Sequence, residues 1–179
     1  MTKTALTLLL TALLALAGCG GGTEQTAKDS IAESLMDQQS EQDAQMLAVD
    51  REDADCIADG MVDGVGVDQL QEYGLLTEDG TVDKTVADVE LSHEDAETVT
   101  DAVFSCTDVQ KMVRQALSKE LGKEDQAMRA CLEKVLTEDA LRAMFVGVFS
   151  GESEQASRKL MAPLMNCAVG SMDLGGGTE

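Results

Sequence analysis

The chain has 179 residues, a length that allows one ordinary domain or two very small ones. Its 34 acidic and 13 basic residues give a formal net charge of -21, which argues against the classes of protein that bind nucleic acid, because these neutralise phosphates with Lys and Arg. Aromatic residues make up only 2% of the chain, too few for base-stacking platforms, whereas 44% hydrophobic residues suffice for a packed core.

The N-terminal segment is typical of an exported protein. Lys3 precedes a Leu-rich apolar run over residues 5–17, which is too short to span a bilayer as a stable helix. The run ends in Leu16-Ala17-Gly18-Cys19, which resembles the lipobox of bacterial lipoproteins. The resemblance implies a signal peptide over residues 1–18 and a diacylglyceryl thioether on Cys19 that holds the protein in the cell envelope. A cleaved secretory peptide followed by a chance cysteine is the alternative.

The segment after the signal is predicted to lie outside the fold. Residues 19–40 are expected to form the lipidated cysteine and a flexible polar tether, because three glycines at 20–22 lead into a polar stretch at 23–28. We therefore expect this segment to separate the folded domain from the bilayer.

Apolar residues at helical spacing predict a series of helices beyond the tether. The first is expected to end at Gly64 or Gly66, and a short helix follows over residues 68–73. Residues 81–91 show no firm period and are either a loop or a lone strand. Ser92 is expected to cap the next helix, as part of a capping box with Asp in place of Glu.

Four further helices are expected to start at Asp108, Lys123, Thr137 and Ser153, and Thr137 is expected to cap the third of these. Pro163 lies within the last of these and is expected to kink or divide it, because proline removes a backbone donor and clashes with the preceding turn. Residues 173–179 are expected to be a disordered tail.

The remaining cysteines predict two disulfides. After Cys19 the chain contains Cys56, Cys106, Cys131 and Cys167, an even number in an oxidising compartment. Segments 48–108 and 123–169 resemble each other as a diverged repeat, since in each a first Cys lies in a helical apolar pattern and a second follows a Ser by fourteen residues. This repeat predicts that Cys56 pairs with Cys106 and Cys131 with Cys167, closing each unit on itself. A zinc site is disfavoured, because no two of these cysteines are two to four residues apart.

These patterns predict an all-α protein, a small disulfide-stapled helical bundle built from two diverged helical repeat units. The first unit, residues 41–108, is acidic, and the second, residues 109–172, is nearly neutral. Residues 29–108 contain 23 acidic and 2 basic residues, whereas residues 109–179 contain 10 acidic and 9 basic residues. A solvated, solubilising acidic face is the simplest interpretation, and recognition of a basic envelope protein is the alternative.

Six carboxylates at the start of the acidic unit are candidates for binding a divalent cation. They belong to Asp50, Glu52, Asp53, Asp55, Asp59 and Asp63. The EF-hand spacing fails at each glycine that could occupy its central position, because the first or third ligand position is apolar. We therefore expect weak surface binding of calcium at most, and no dedicated metal site.

Ser92 and His93 form the one neighbouring pair that suggests nucleophilic catalysis. Adjacent helical residues point about 100° apart, so their side chains should not hydrogen-bond to each other. Ser92 is better explained as a helix cap and His93 as an exposed first-turn residue. The chain also lacks a nucleophile elbow, a phosphate-binding loop and a dinucleotide fingerprint. No catalytic residue is assigned, with a carboxylate-only hydrolase as the exception to test.

The sequence favours a membrane-tethered extracytoplasmic lipoprotein that serves as a non-catalytic interaction or envelope module, without a cofactor. Its expected partners are the membrane, through Cys19, and a basic envelope protein; nucleic acid is not expected. Ten Met residues leave a second hypothesis open, a carrier of a small apolar ligand such as a lipid, because Met-rich surfaces repack around varied ligands. A weakly calcium-binding acidic surface is the third.

Overall fold

The structure is a computed structural model that describes residues 20–38, 49–120 and 126–173. These residues form eight α-helices and one short 3-10 helix, so the predicted all-α class is confirmed. The α-helices are α1 (Gly20–Gln38), α2 (Arg51–Val65), α3 (Val67–Glu72), α4 (His93–Cys106), α5 (Val109–Glu120), α6 (Gln126–Val135), α7 (Glu138–Phe149) and α8 (Ser153–Asp173). The predicted signal peptide, Cys19 and the tail beyond residue 173 lie outside the described residues.

Side-chain caps fix where three of the helices begin. Asp50, Ser92 and Thr137 each accept a hydrogen bond from the backbone N–H three residues further along, at the starts of α2, α4 and α7. The predicted caps at Ser92 and Thr137 are confirmed. Asp50 was not singled out as a cap, because one Asp within a run of carboxylates carries no distinguishing signal. Gly66, with φ of +89°, ends α2 as its sequence position suggests.

Helix α1 corrects the predicted tether. Residues 20–38 form a helix that packs along α2, and Ala27, Ile31 and Ala32 are each at most 2% exposed within the hydrophobic core. The prediction of a flexible segment over residues 19–40 is therefore wrong for residues 20–38. The sequence signal for this helix is weak, because the segment is polar, begins with glycines of low helix propensity and contains only a few small or β-branched apolar residues. Burial of these apolar residues becomes favourable only against the surface of α2.

The remaining irregular segment joins α3 to α4. Residues 81–91 form neither a pure loop nor a strand: Val82 makes an isolated antiparallel bridge with Leu76, and Val86–Asp88 forms the 3-10 helix. Val89 and Leu91 are buried in the core. The Leu91 N–H donates to the Phe149 carbonyl over 2.8 Å, which ties this segment to the end of α7.

Helices α2 and α4 pack antiparallel in a fixed register. The Cys56–Cys106 disulfide joins the start of α2 to the end of α4, with a Cα–Cα distance of 5.7 Å. A methyl group added at Gly60 would lie 2.7 Å from the Ala102 Cβ, and one added at Gly64 would lie 2.5 Å from the Thr98 Cγ2. Three contacts at four-residue intervals on both helices therefore hold the two backbones unusually close.

The second disulfide, Cys131–Cys167, joins α6 to α8. Both disulfides thus have the connectivity that the repeat predicts. Helix α8 continues through Pro163, so of the two predicted outcomes, a kink or a division, the division does not occur. The missing proline N–H costs about 3 kcal/mol in a helix interior. The disulfide four residues further along, at the 2%-exposed Cys167, and the packing of α8 against α6 and α7 offset this cost.

The two units share one core. Phe104 of α4 contacts Phe145 of α7 edge-to-face with 5.5 Å between ring centroids, and Phe145 contacts Phe149 in the same manner. Val109, at the start of α5, and Leu141 of α7 are each at most 2% exposed in the same cluster as the residues of α1 and α2. The acidic and near-neutral units are therefore parts of one folded body in the described residues.

Replacing Gly60 tests the close approach of α2 to α4. We expect Gly60→Ala to lower the free energy of unfolding by about 1–3 kcal/mol, because the new methyl group overlaps the Ala102 Cβ, despite the higher helix propensity of Ala. Ala102→Gly in the same chain should restore much of the loss. Gly22→Ala is the control, since nothing lies within 4 Å of the added methyl group. Urea unfolding measures all four chains, and a neutral Gly60→Ala would contradict the packing.

Replacing Ile31 tests whether α1 belongs to the fold. We expect Ile31→Ala to cost about 2–4 kcal/mol of unfolding free energy, as for other buried large-to-small changes. Glu33→Ala, at an exposed position of the same helix, should change it by less than about 0.5 kcal/mol. Thermal or urea unfolding gives both values. If both variants matched the parent chain, residues 20–38 would be a tether after all.

Candidate functional site

A groove of about 1070 Å³ runs along α7. Helix α4 borders one side and helices α6 and α8 border the other. Its main lining groups are small residues of α7 and charged residues of the flanking helices: Ala140, Ala143, Gly147, His93, Glu97, Asp101, Lys134 and Lys159. The lining therefore includes carboxylates of α4 and ammonium groups of α6 and α8, together with the carboxylates of Asp139 and Glu152.

Arg142 of α7 also lines this groove and joins α7 to α4. Its Nη1 lies 2.5 Å from Asp101 Oδ1, its Nε lies 3.0 Å from Glu138 Oε1, and its guanidinium carbon lies 4.4 Å from the centre of the Phe104 ring. The hydrogen bonds to Glu138 and Asp101 raise the pKa of Arg142 above its ordinary value. Arg142 thus brings a positive charge from the near-neutral unit into the acidic one.

Ser92 and His93 lie at the opposite end of α4 and are not arranged for nucleophilic catalysis. Ser92 Oγ accepts the Asp95 N–H and donates to Asp95 Oδ2, whereas His93 Nε2 lies 3.5 Å from Glu97 Oε1. Tyr73 completes this helix start: its hydroxyl accepts the Ser92 N–H over 3.0 Å and donates to Asp95 Oδ2 over 2.5 Å. In the expected capping box the Asp95 carboxylate would accept the Ser92 N–H directly, whereas here the Tyr73 hydroxyl lies between them. The Ser92 side chain accepts a backbone N–H as a helix cap.

Lys28 and Arg51 engage three of the six carboxylates that the sequence offers as calcium ligands. Lys28 Nζ lies 2.7 Å from Asp63 Oδ1 and 3.6 Å from Asp59 Oδ1, and Arg51 pairs with Asp55. The hydrogen bond to Asp63, helped by Glu24 and the charge of Asp59, raises the pKa of Lys28 above its ordinary value.

The other three candidates are dispersed around the start of α2. Asp50 caps the helix by accepting the Asp53 N–H, and Glu52 is exposed in the first turn. In the part of the chain that the structure describes, no group of three or more His, Cys, Asp or Glu side chains converges as a metal site would require. The acidic surface can therefore attract cations or a basic partner as a field, but it offers no preformed coordination shell.

Tyr73, Lys28 and Arg142 organise their surroundings in the structure but do not stand out in the sequence. Tyr73 is the one Tyr in the chain and lies directly before Gly74, a position that suggested only the end of a short helix. Lys28 lies in the segment predicted to be a tether. Lys28 and Arg142 each lie four residues after a Glu on the same helix. This spacing predicts an ion pair within the helix, but it does not predict the contacts with neighbouring helices.

Replacing Arg142 tests the link between α4 and α7. We expect Arg142→Ala to lower the free energy of unfolding by about 1 kcal/mol, because a partly exposed ion pair and a cation–π contact each contribute less than about 1 kcal/mol. Arg158→Ala is the matched control, since Arg158 pairs only with Glu154 on its own helix and is 73% exposed. Its effect should stay below about 0.5 kcal/mol. Equal losses in the two variants would show that Arg142 does not join the helices.

Comparison with known proteins identifies no relative of this chain. No family model matches it, and neither the curated proteins nor the solved structures contain a match. Its function must therefore be argued from its own residues and their arrangement.

Proposed function

We propose that this protein is an extracytoplasmic lipoprotein, anchored through Cys19, that acts as a non-catalytic interaction module of the cell envelope. The observation that carries the proposal is the combination of a lipobox-like sequence at residues 16–19 with a body closed by two disulfides. Disulfides of this kind are compatible with an extracytoplasmic location, where thiols are not kept reduced. Among the described helices, none is long and apolar enough to cross a membrane.

The acidic unit supports an interaction role with a basic partner. Residues 29–108 contain 23 acidic and 2 basic residues. The carboxylates therefore still far outnumber the cations when Lys28 and Arg142, which pair with this unit from α1 and α7, are included. Exposed carboxylates such as Glu52, Glu94 and Glu97 create a field that accelerates encounter with a cationic surface at low ionic strength. A basic envelope protein is the partner that this field favours.

The carrier hypothesis gains no support from the groove along α7. A lipid chain placed there would bring apolar carbon against Glu97, Asp101 and Lys159, and removing water from charged groups without pairing them is unfavourable. The exposed Met161 and Met165 lie on α8 outside the residues that line this groove. The interaction module is therefore the function that the described geometry supports best.

Cys19→Ala tests the anchor. We expect the variant to leave the membrane fraction and to lack the mass of attached acyl chains, because acyl chains contribute about 0.8 kcal/mol per buried methylene and are the anchor that we propose. Fractionation and intact-mass measurement of the protein from its own host check this. Gly22→Ala keeps the thiol and serves as the control that should remain membrane-bound.

The interaction role is tested in the same membranes. Crosslinking of the parent chain should repeatedly recover a basic envelope protein, and the yield should fall as salt is raised, because screening weakens the attraction between exposed charges.

An unchanged membrane fraction of Cys19→Ala would contradict the anchor. Crosslinking that recovers no envelope component would contradict the interaction module.

A further inference from the structure

We propose that α1 fixes the orientation of the protein on the membrane, holding one end of the bundle against the lipid headgroups. The membrane-facing end is defined by Thr23 of α1 and the turn at residues 77–81. This inference rests on the proposed anchor at Cys19. It goes beyond that anchor, because a lipid on a flexible tether would leave every face of the domain free to meet the membrane.

The chain between the anchor and the body is too short to act as a tether. Thr23 lies four residues after Cys19, so the two Cα atoms are at most about 14 Å apart in a fully extended chain. Residues 20–23 are already helical, so they advance only about 5 Å along the α1 axis. Thr23 must therefore stay close to the membrane surface.

Thr23 is in turn fixed to the body of the protein. The turn at residues 77–81 packs on it: a methyl group added at Gly80, where φ is +85°, would lie 2.8 Å from the Thr23 carbonyl oxygen. One turn further along α1, Ala27 is fully buried, and Ser30 Oγ accepts the Val82 N–H over 2.8 Å. The turn therefore moves with α1 as one rigid unit and shares its distance from the membrane.

The start of α2 marks the opposite end of the bundle. Lys28, in the first half of α1, reaches Asp59 and Asp63 in the second half of α2, and the turn that follows α3 packs on Thr23. We therefore take α1 and α2 as antiparallel. Glu52 lies eleven residues before Asp63, which places it about 16 Å further along the helix axis. The Cys56–Cys106 disulfide and the start of α5 lie toward this distal end.

Attraction between charges does not explain this orientation. The turn carries Glu78 and Asp79, and hydrogen bonds from Thr77 and Thr81 lower the pKa of Asp79, which keeps it ionised near an acidic surface. Anionic headgroups would repel this end of the molecule. The orientation therefore derives from the length and rigidity of the connection, and it should persist on vesicles of zwitterionic phosphatidylcholine.

Two tryptophan variants test the orientation, because the parent chain contains no Trp. Glu78→Trp places a fluorescence donor in the membrane-facing turn, and Glu52→Trp places one at the distal end, with the same loss of one exposed carboxylate. Each lipidated full chain is reconstituted in phosphatidylcholine vesicles that contain a dansyl-headgroup lipid as acceptor. We expect the transfer efficiency of Glu78→Trp to exceed that of Glu52→Trp by about threefold, given their separation of about 16 Å or more along the bundle.

A flexible insert supplies the control. About 20 Gly and Ser residues between Cys19 and Gly20 have a root-mean-square span of about 25 Å and should abolish the difference between the two positions. Equal transfer from both variants without the insert, or a difference that survives it, would overturn the orientation while leaving the anchor intact. Absence of acyl mass on Cys19 together with loss of vesicle flotation would overturn both proposals.

Discussion

The close approach of α2 to α4 is the contact on which the rest of the structure depends. One stripe of α2 faces one stripe of α4 at four-residue intervals, pairing Cys56 with Cys106, Gly60 with Ala102 and Gly64 with Thr98. The small side chains allow the two backbones to approach closely. In the chain-entropy model, closing a loop of this length with a disulfide stabilises the folded state by about 4 kcal/mol. Helix α1 packs on α2 and helix α7 on α4, so both neighbours inherit their positions from this pair.

Charge compensation across the helices complements this packing. The acidic unit contains almost no cations of its own, and the structure brings Lys28 from α1 and Arg142 from α7 to its borders. Each cation contacts carboxylates on its own helix and on a neighbour, and Arg142 also covers the Phe104 ring. Partly exposed pairs of this kind contribute little individually. Their effect is to place α1 and α7 in register against a surface that would otherwise repel itself.

Several side chains that the sequence offers for chemistry have structural partners in the described residues. Ser92 is used as a helix cap, Tyr73 satisfies its backbone N–H, and Asp59 and Asp63 are paired with Lys28. What remains is a net negative surface on a disulfide-closed body whose first helix begins directly after the candidate lipidation site. In the function that we propose, such a body presents a charged face at a defined height above a membrane, a task that requires rigidity.

The sequence by itself determined the all-α class, the caps at Ser92 and Thr137 and the pairing of the four cysteines, because helical periodicity, capping and an internal repeat are local or self-similar signals. Only the tertiary structure decided that residues 20–38 belong to the fold and that Arg142 crosses to Asp101. Both depend on a surface formed by residues that are distant in the sequence. Burying a few small apolar side chains of α1 becomes favourable only once the surface of α2 exists. The ion pair between Arg142 and Asp101, which are 41 positions apart, becomes favourable only once α4 is in place.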